Sequence, residues 1–580
     1  MGSSAAVPTW LPVVAIASAI TLGNPQSFLS VLFFLTPTLA FIAFYRSSIR
    51  FSLAKYSAFT ASLLYAFSPV IFTAINQGRL GTIVIALILP SLFTLMPKNL
   101  RVDSLSLRRT ASICLIAGVA MAFSPLFGIG WLLLNLILFI QQYISDSTSL
   151  RTRSVQHLFE NLNKDQFKKR AALIFAPIFM NIPWAFSFIF HPLKGLLEPG
   201  LSVESSGVLS VLLFNPGGPT APGLIFIAPF ALFLLISLIT PDHRDSALFG
   251  IVTIAFAATL STYYVVGNGS SAQRIWTGPL IIFAQTMALL SAFTLFEKLL
   301  PILRATNIGY RHFLSAITAI TTAISLIILP FWATTVGANS LVQANQEQVI
   351  PAFITDLAST AGKPKTLVIR KSSEQLQYFI TRGGDLQLGD ADMSSKIPTE
   401  VQQTISDLVS GVGTSSSQIL GFYGVQYVFM KNPADAALVR TIDGVGGFTR
   451  SSATKDGVVW KVNGAHARLT LVDLNGQSFA LASNDKSSNA YAAKPGTILL
   501  AEKYDGSWKL LLDGRIVNIS KSQFGQPAFV IDKPGALSLV HDGTTRRGWV
   551  SLQLISVLAL IVLALPAGRR RKDLALSELA

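Results

Sequence analysis

Cysteine is nearly absent from this 580-residue chain. The single one, Cys114, sits inside the apolar run ASICLIAGVAM, so no internal disulfide can form and no thiolate metal cluster can be built. Charge is scarce as well: Asp, Glu, Lys and Arg make up 13% of residues, against 51% hydrophobic. That balance excludes an ordinary soluble globule. The chain also lacks a P-loop, a dinucleotide fingerprint, HExxH and GxSxG, so no cofactor and no metal site are identified. No basic n-region opens it, because MGSSAAVPTW runs straight into LPVVAIASAITLGN, which is not the shape of a signal peptide.

What is present is a series of long apolar windows. A membrane helix needs roughly 20 apolar residues. Candidate spans are 8–24, 27–46, 58–76, 79–97, 110–126, 127–143, 171–191, 220–240, 247–267, 276–296, 314–335 and 551–568. The expected fold class is therefore a polytopic α-helical membrane protein of about 12 spans. The segment 8–24 is short enough to be re-entrant or surface-lying, and 105–145 holds two spans only if Pro125 breaks the run at SPLFG.

The formal charge of +16 does not point to nucleic acid, because the basic residues lie in short loops between spans. Arg46, Arg50 and Lys55, then Lys98, Arg101, Arg108 and Arg109, follow even-numbered spans, as do Arg151, Arg153, Lys164, Lys168, Lys169 and Arg170. The same holds for Arg244, Lys298, Arg304, Arg311 and the RRRK at 569–572. Loops on the other face carry only Arg79, Lys194 and Arg274. The positive-inside rule then puts even-numbered span ends and the basic tail 569–580 in the cytoplasm, and 336–550 outside.

Residues 336–550 change character. AGKPKTLVIR and QLQYFITRG read as strands and PTEVQQTISDLVSGVG as a helix, giving a small α/β unit over 336–430. From 431 to 550, short runs from AALVRTID and GVVWKVNG onward alternate with Gly, Asp and Asn turns, which predicts an antiparallel β-sandwich. Within GTILLAEKYDGSWKLLLDG, Asp505–Gly506 is expected to turn a hairpin between TILLAE and SWKLLLDG, and Asp513–Gly514 to turn a second one into RIVNI. Trp508 is a core anchor on this reading, with a sugar-contacting face as the alternative.

Groups suited to chemistry are few. Glu198 and Glu204, in the loop 192–219, could serve as a general base or bind a divalent ion, or be solvated loop acids. Arg79 and Arg274 could clamp a lipid phosphate, or simply snorkel to the interface. PDHRD at 241–245 is too short for a nucleotide pocket, and the acids Asp390 and Asp392 of LGDADMSS are expected in a turn.

The stretches GSSAAVPTWLPVVAIASAITLG, LYAFSPVIFTAINQGRLGTIVIALILP, YGVQYVFM, GVVWKV and GTILLAEKYDGSWKLLLDG together resemble the membrane and C-terminal exported region of large actinobacterial glycosyltransferase proteins. SWKLLLDG is also similar to a strand pair in the outer domains of YfhO-like membrane proteins. The resemblance implies a membrane component of envelope polysaccharide or glycolipid synthesis whose partner is a polyprenyl-phosphate sugar in membrane lipid. The family 2 catalytic domain of such proteins, with its DxD acids, would lie upstream of Met1, so no catalytic residue of the family maps onto a number here. Two expectations follow: the chain is a piece of a larger enzyme, or it works beside a separate catalytic glycosyltransferase subunit. A lipid-linked sugar flippase and a non-catalytic scaffold with an outer binding domain stay open as alternatives.

Overall fold

The computed structural model describes residues 7–96, 102–149, 164–190, 192–198, 200, 207–217, 224–238, 241–266, 273–337, 350–358, 360–372, 375–382, 397–484 and 487–565. The chain divides into two compact units. One is built mainly of Asn345–Gly548, the other of Pro8–Gly267, Ala272–Ala344 and Trp549–Ala580.

The larger unit is helical. In chain order its helices are α1 Trp10–Ala17, α2 Pro25–Arg50, α3 Lys55–Ala66, α4 Pro69–Asn76, α5 Leu80–Leu95, α6 Leu107–Phe123, α7 Pro125–Ser149, α8 Lys164–Met180 and α9 Trp184–Phe190. There follow α10 Val208–Leu212, α11 Leu224–Leu238, α12 Pro241–Tyr263, a two-stranded ribbon of β1 Val265–Val266 and β2 Gln273–Arg274, α13 Gly278–Ala305 and α14 Tyr310–Trp332. A last helix, Thr544–Ala564, runs into this unit near the end of the chain. The chain is a membrane protein by the length and apolarity of these helices. Among the described residues five are long and apolar enough to cross a bilayer, and a sixth counts if α8 and α9, bent by 98° at their break, form one span.

Among the described residues two segments expected as spans, 8–24 and 79–97, are shorter apolar helices, Trp10–Thr21 and Leu80–Leu95. Elsewhere proline sets the breaks, since it removes an amide donor and clashes with the preceding turn. The segment 58–76 is divided into α3 and α4 just before Pro69, yet Lys55–Asn76 still counts as one span. At SPLFG the break falls where Pro125 demands it. Ser124 is extended, and its hydroxyl accepts the Phe127 amide at 3.3 Å as α7 begins on Pro125.

α13 is the buried axis of the bundle. Ile281, Ala284, Ala288 and Leu289 are fully enclosed, and α11 and α12 both pack against this helix, with Phe233 of α11 edge-on to Phe293. By contrast α2, α14 and Thr544–Ala564 leave most of their apolar surface uncovered, as helices facing lipid tails do.

The second unit opens with α15 Ala352–Ala358 and a five-stranded sheet of order β4-β3-β5-β7-β6. Its strands are β3 Lys365–Ser372, β4 Gln375–Thr381, β5 Val425–Lys431, β6 Phe448–Thr454 and β7 Gly457–Val462. β3 and β5 are parallel and the other pairs antiparallel. Helices α16 Thr399–Ser410, α17 Ser416–Phe422 and α18 Ala436–Gly444 cover one face through Val401, Ile405, Leu420 and Ile442, while Ile350 and Ile354 cover the other. The boundary expected at 431 is therefore corrected. GVVWKV is a strand of this α/β sheet, and AALVRTID is a helix, started by Asp435 capping the Ala437 amide at 2.9 Å. Its apolar residues Leu438 and Ile442 are four apart, a helical spacing.

A sandwich follows from β8 Leu469–Asp473. One sheet, β14-β15-β11-β8-β9, contains β9 Ser478–Leu481, β11 Gly496–Leu500, β14 Ile519–Lys521 and β15 Pro527–Ile531. The other, β10-β16-β12-β13, contains β10 Ser487–Ala492, β12 Trp508–Leu512, β13 Arg515–Val517 and β16 Gly535–His541. All pairs are antiparallel, and Leu471, Ile498, Phe529, Trp508, Leu510 and Leu539 belong to the shared core. The turn at Asp513–Gly514 joins β12 to β13, with both residues left-handed at φ +50° and +80°, the geometry a two-residue hairpin requires.

The other expected hairpin does not form. β11 pairs with β8 and β15, and β12 with β13 and β16, so Ala501–Ser507 carries the chain from one sheet to the other. The reason is electrostatic. The Glu502 carboxylate is held by Lys365 at 3.1 Å, Arg382 at 2.7 Å and Arg468 at 3.2 Å, which pins the crossover to the α/β sheet. Burial alone would raise this carboxyl, but the three cations hold it well below the ordinary carboxylate range. Its charge thus favours the folded state above the unfolded pKa, and that contribution is lost as pH falls through the usual carboxylate range and below. Glu502→Ala would leave three cations together in a poorly hydrated site, and is expected to cost about 3–5 kcal/mol. Urea unfolding followed by Trp460 and Trp508 fluorescence at pH 7 and pH 4 checks this. The variant should be less stable at pH 7, and should lose less than the parent chain on acidification.

Candidate functional site

Two helices of the bundle meet at a tight corner. α4 ends at Asn76, Gly78 takes a left-handed turn, and Arg79 stands at the N-cap of α5. The first turn of a helix presents amides without intrahelical partners and a positive dipole end. Here that end is met by Glu198, which arrives 119 residues later in sequence, just after the single turn Pro192–Leu196.

The Glu198 carboxylate accepts the Thr82 amide at 2.7 Å through Oε1 and the Thr82 hydroxyl at 3.0 Å through Oε2. Thr82 Oγ1 in turn accepts the Trp276 indole N–H at 2.8 Å. The Arg79 guanidinium lies 4.8 Å over the Trp276 ring and donates to the Glu198 main-chain carbonyl. A cation on an aromatic face, a carboxylate on a helix start and a shared hydroxyl thus form one continuous network. Gly81 makes the approach possible, because a Cβ there would stand 2.4 Å from the Phe123 carbonyl oxygen and 3.0 Å from Glu198 Cδ.

The centre is closed to solvent, with Arg79 5% and Glu198 8% exposed. Burial pushes the Glu198 carboxyl up to about 7, opposed by the Arg79 charge and by the Thr82 hydrogen bonds. Such a group is poised to give or take a proton near neutrality. Three further buried polar atoms lie on the two segments that carry Arg79 and Trp276. Asn76 Oδ1, Gln77 Oε1 and Thr277 Oγ1 are buried without a hydrogen-bond partner, although the Asn76 amide nitrogen donates to the Gly337 carbonyl. Orphaned acceptors of this kind call for a donor that the protein itself does not supply.

Of the residues singled out from sequence, Arg79 and Glu198 come together. Arg274 does not join them. Its guanidinium donates to the Thr262 carbonyl at 2.9 Å and the Ser261 carbonyl at 3.4 Å, satisfying the last turn of α12. Glu204 lies outside the described residues, as do Asp390 and Asp392. PDHRD forms the first turn of α12 rather than a loop. Trp508 is 2% exposed inside the sandwich, so its ring is committed to the core and offers no face to a glycan. Thr82 and Trp276 went unnoticed in the sequence, although glycines flank Arg79 and Leu80 in GRLG and signal a close approach. No group of three or more His, Cys, Asp or Glu suited to a metal ion occurs among the described residues.

No family profile and no curated protein sequence matches the chain. Solved structures do show a likeness. One is the arabinofuranosyltransferase AftD from Mycobacteria, at 12% identity and a TM-score of 0.46, over 92% of this chain and 52% of that one. Another is ArnT from Cupriavidus metallidurans bound to undecaprenyl phosphate, at 13% identity and a TM-score of 0.42, over 78% of this chain and 87% of that one. The chain spans about half the length of the arabinofuranosyltransferase. With both TM-scores below 0.5, the functional reading rests on this chain's own residues.

The buried carboxyl has a direct spectroscopic signature. In infrared difference spectra a protonated-carboxyl band is expected to titrate with a midpoint near pH 7 and to vanish in Glu198→Gln. Thr82→Val removes a hydroxyl that favours the ionised form, so it should move the midpoint upward.

Proposed function

We propose that this chain is a membrane component of envelope polysaccharide or glycolipid synthesis, and that it handles a polyprenyl-linked sugar at the Arg79–Glu198 centre. The observation that carries the reading is the buried pairing of the Arg79 guanidinium with Glu198 on the first turn of α5, together with the unpartnered polar atoms of Asn76, Gln77 and Thr277. A lipid phosphate would take the Arg79 guanidinium as its counter-charge. Sugar hydroxyls would supply the donors that Asn76, Gln77 and Thr277 lack. Glu198 would move the proton, either to the departing phosphate oxygen or from the accepting hydroxyl, with Glu204 as a second candidate acid. On the reading of about 12 spans from apolar windows, the placement of basic loops would put this centre at the outer face and would export 336–550. A separate catalytic glycosyltransferase subunit would complete the reaction if the centre only binds and presents the lipid.

The test uses membranes carrying the chain and a polyprenyl phosphate bearing a radiolabelled sugar. Glu198→Gln is expected to lower sugar transfer by about 100-fold or more, the usual scale for one acid–base group. Arg79→Gln should lower it comparably by weakening lipid binding, and Arg274→Gln should leave it within about twofold, since Arg274 only satisfies carbonyls. Transfer that survives in both Glu198→Gln and Arg79→Gln at normal expression would refute a role for the centre. Outward movement of the lipid without transfer would instead favour the flippase.

A further inference from the structure

The face of the four-stranded sheet turned away from the Trp508 core carries a groove of about 570 Å³. Its position follows from strand register. Asn489 pairs with Ser538 and Tyr491 with Ala536, and alternation along β10 and β16 sends all four side chains to the outer face while Ala492, Leu537 and Leu539 point inward. Ala536 and Ser538 are small, so they make a low floor. Tyr491, 65% exposed, rises as one wall.

The turn Asp513–Gly514 borders the opposite end. Asp513 is fixed there, because its Oδ1 accepts the Ala536 amide at 2.8 Å and its own amide donates to the Ala536 carbonyl at 2.8 Å. Gly514 is left-handed, and a Cβ on it would meet no atom within 4 Å, so the turn leaves the mouth open. Lys533 Nζ stands 3.6 Å from Asp513 Oδ2. Both side chains are about half exposed, so this is a solvated ion pair at the rim of the groove.

We infer that this groove is a binding site for a neutral saccharide segment. A single exposed aromatic face suits the apolar face of a sugar ring. The Asn489 amide, the Ser538 hydroxyl and the free lone pairs of Asp513 suit its hydroxyls, as donor, donor–acceptor and acceptor respectively. A charged ligand would gain little from the solvated ion pair, and a purely apolar one would strand the polar lining. The site is distinct from the membrane centre. It gives the sandwich the sugar contact that Trp508, being buried, cannot make. The inference rests on the envelope-glycan reading only for its biological sense, since binding is measured without lipid or transfer.

The experiment is calorimetric titration of the full chain in detergent with neutral hexasaccharides, both furanosides and pyranosides, and with a hexauronate as the charged comparison. At least one neutral hexasaccharide is expected to bind, and the hexauronate to bind no tighter than it. Tyr491→Ala should weaken that binding about tenfold and Tyr491→Phe by less than about threefold, since the ring rather than its hydroxyl makes the contact. Asn489→Ala should weaken it by several-fold. The inference is overturned if no neutral hexasaccharide binds, if the hexauronate binds more tightly, or if Tyr491→Ala binds like the parent chain. Loss of transfer in Glu198→Gln with this binding intact would separate the two sites, and a failed transfer assay would leave this result standing on its own.

Discussion

A carboxylate on the first turn of a helix ties this bundle together. Glu198 brings the loop after α9 onto the start of α5, and Thr82 passes the contact on to Trp276 at the entry to the buried helix α13. Three stretches far apart in sequence are thereby held by one side chain. In an apolar setting such a group is costly unless its lone pairs are filled, and each partner seen here fills one. The same scarcity of water that makes the network strong lifts the carboxyl toward neutrality, so its structural and chemical roles share one cause.

The second unit obeys the same rule with the opposite outcome. Glu502 is also withdrawn from water, but three cations surround it, and it stays ionised where Glu198 is poised to change state. The difference lies in the number of positive charges at hand, since burial raises both carboxyls. A fixed charge suits a joint between an α/β sheet and a sandwich, and a titrating one suits a site where a proton must move. This contrast separates the two acids more clearly than exposure does.

The two faces of the β10-β16-β12-β13 sheet divide their tasks through alternation alone. Trp508, Leu510 and Leu539 fill the core, leaving Asn489, Tyr491 and Ser538 outward. The aromatic residue that attracts notice in the sequence is thus the one withdrawn from ligands. A tyrosine one strand further from the centre of that sheet takes the exposed place.

Much of the architecture was legible in the residues themselves. Apolar windows and a 13% share of charge leave little choice but membrane helices. Pro125 marks its break, PTEVQQTISDLVSGVG its helix, and Asp513–Gly514 its turn, because each depends on backbone preferences within a few residues. The hairpin at Asp505–Gly506 was misread for the complementary reason. Local turn chemistry is equally good there, but Glu502 is claimed by Lys365, Arg382 and Arg468 from other parts of the fold. AALVRTID has the apolar content of a strand, but Leu438 and Ile442 are four residues apart, and that helical spacing decides its form. Arg79 and Glu198 were each visible as isolated charged groups, whereas their meeting was not. No periodicity or spacing links residues 119 apart, so that contact, and the pKa it produces, belong to the tertiary structure alone.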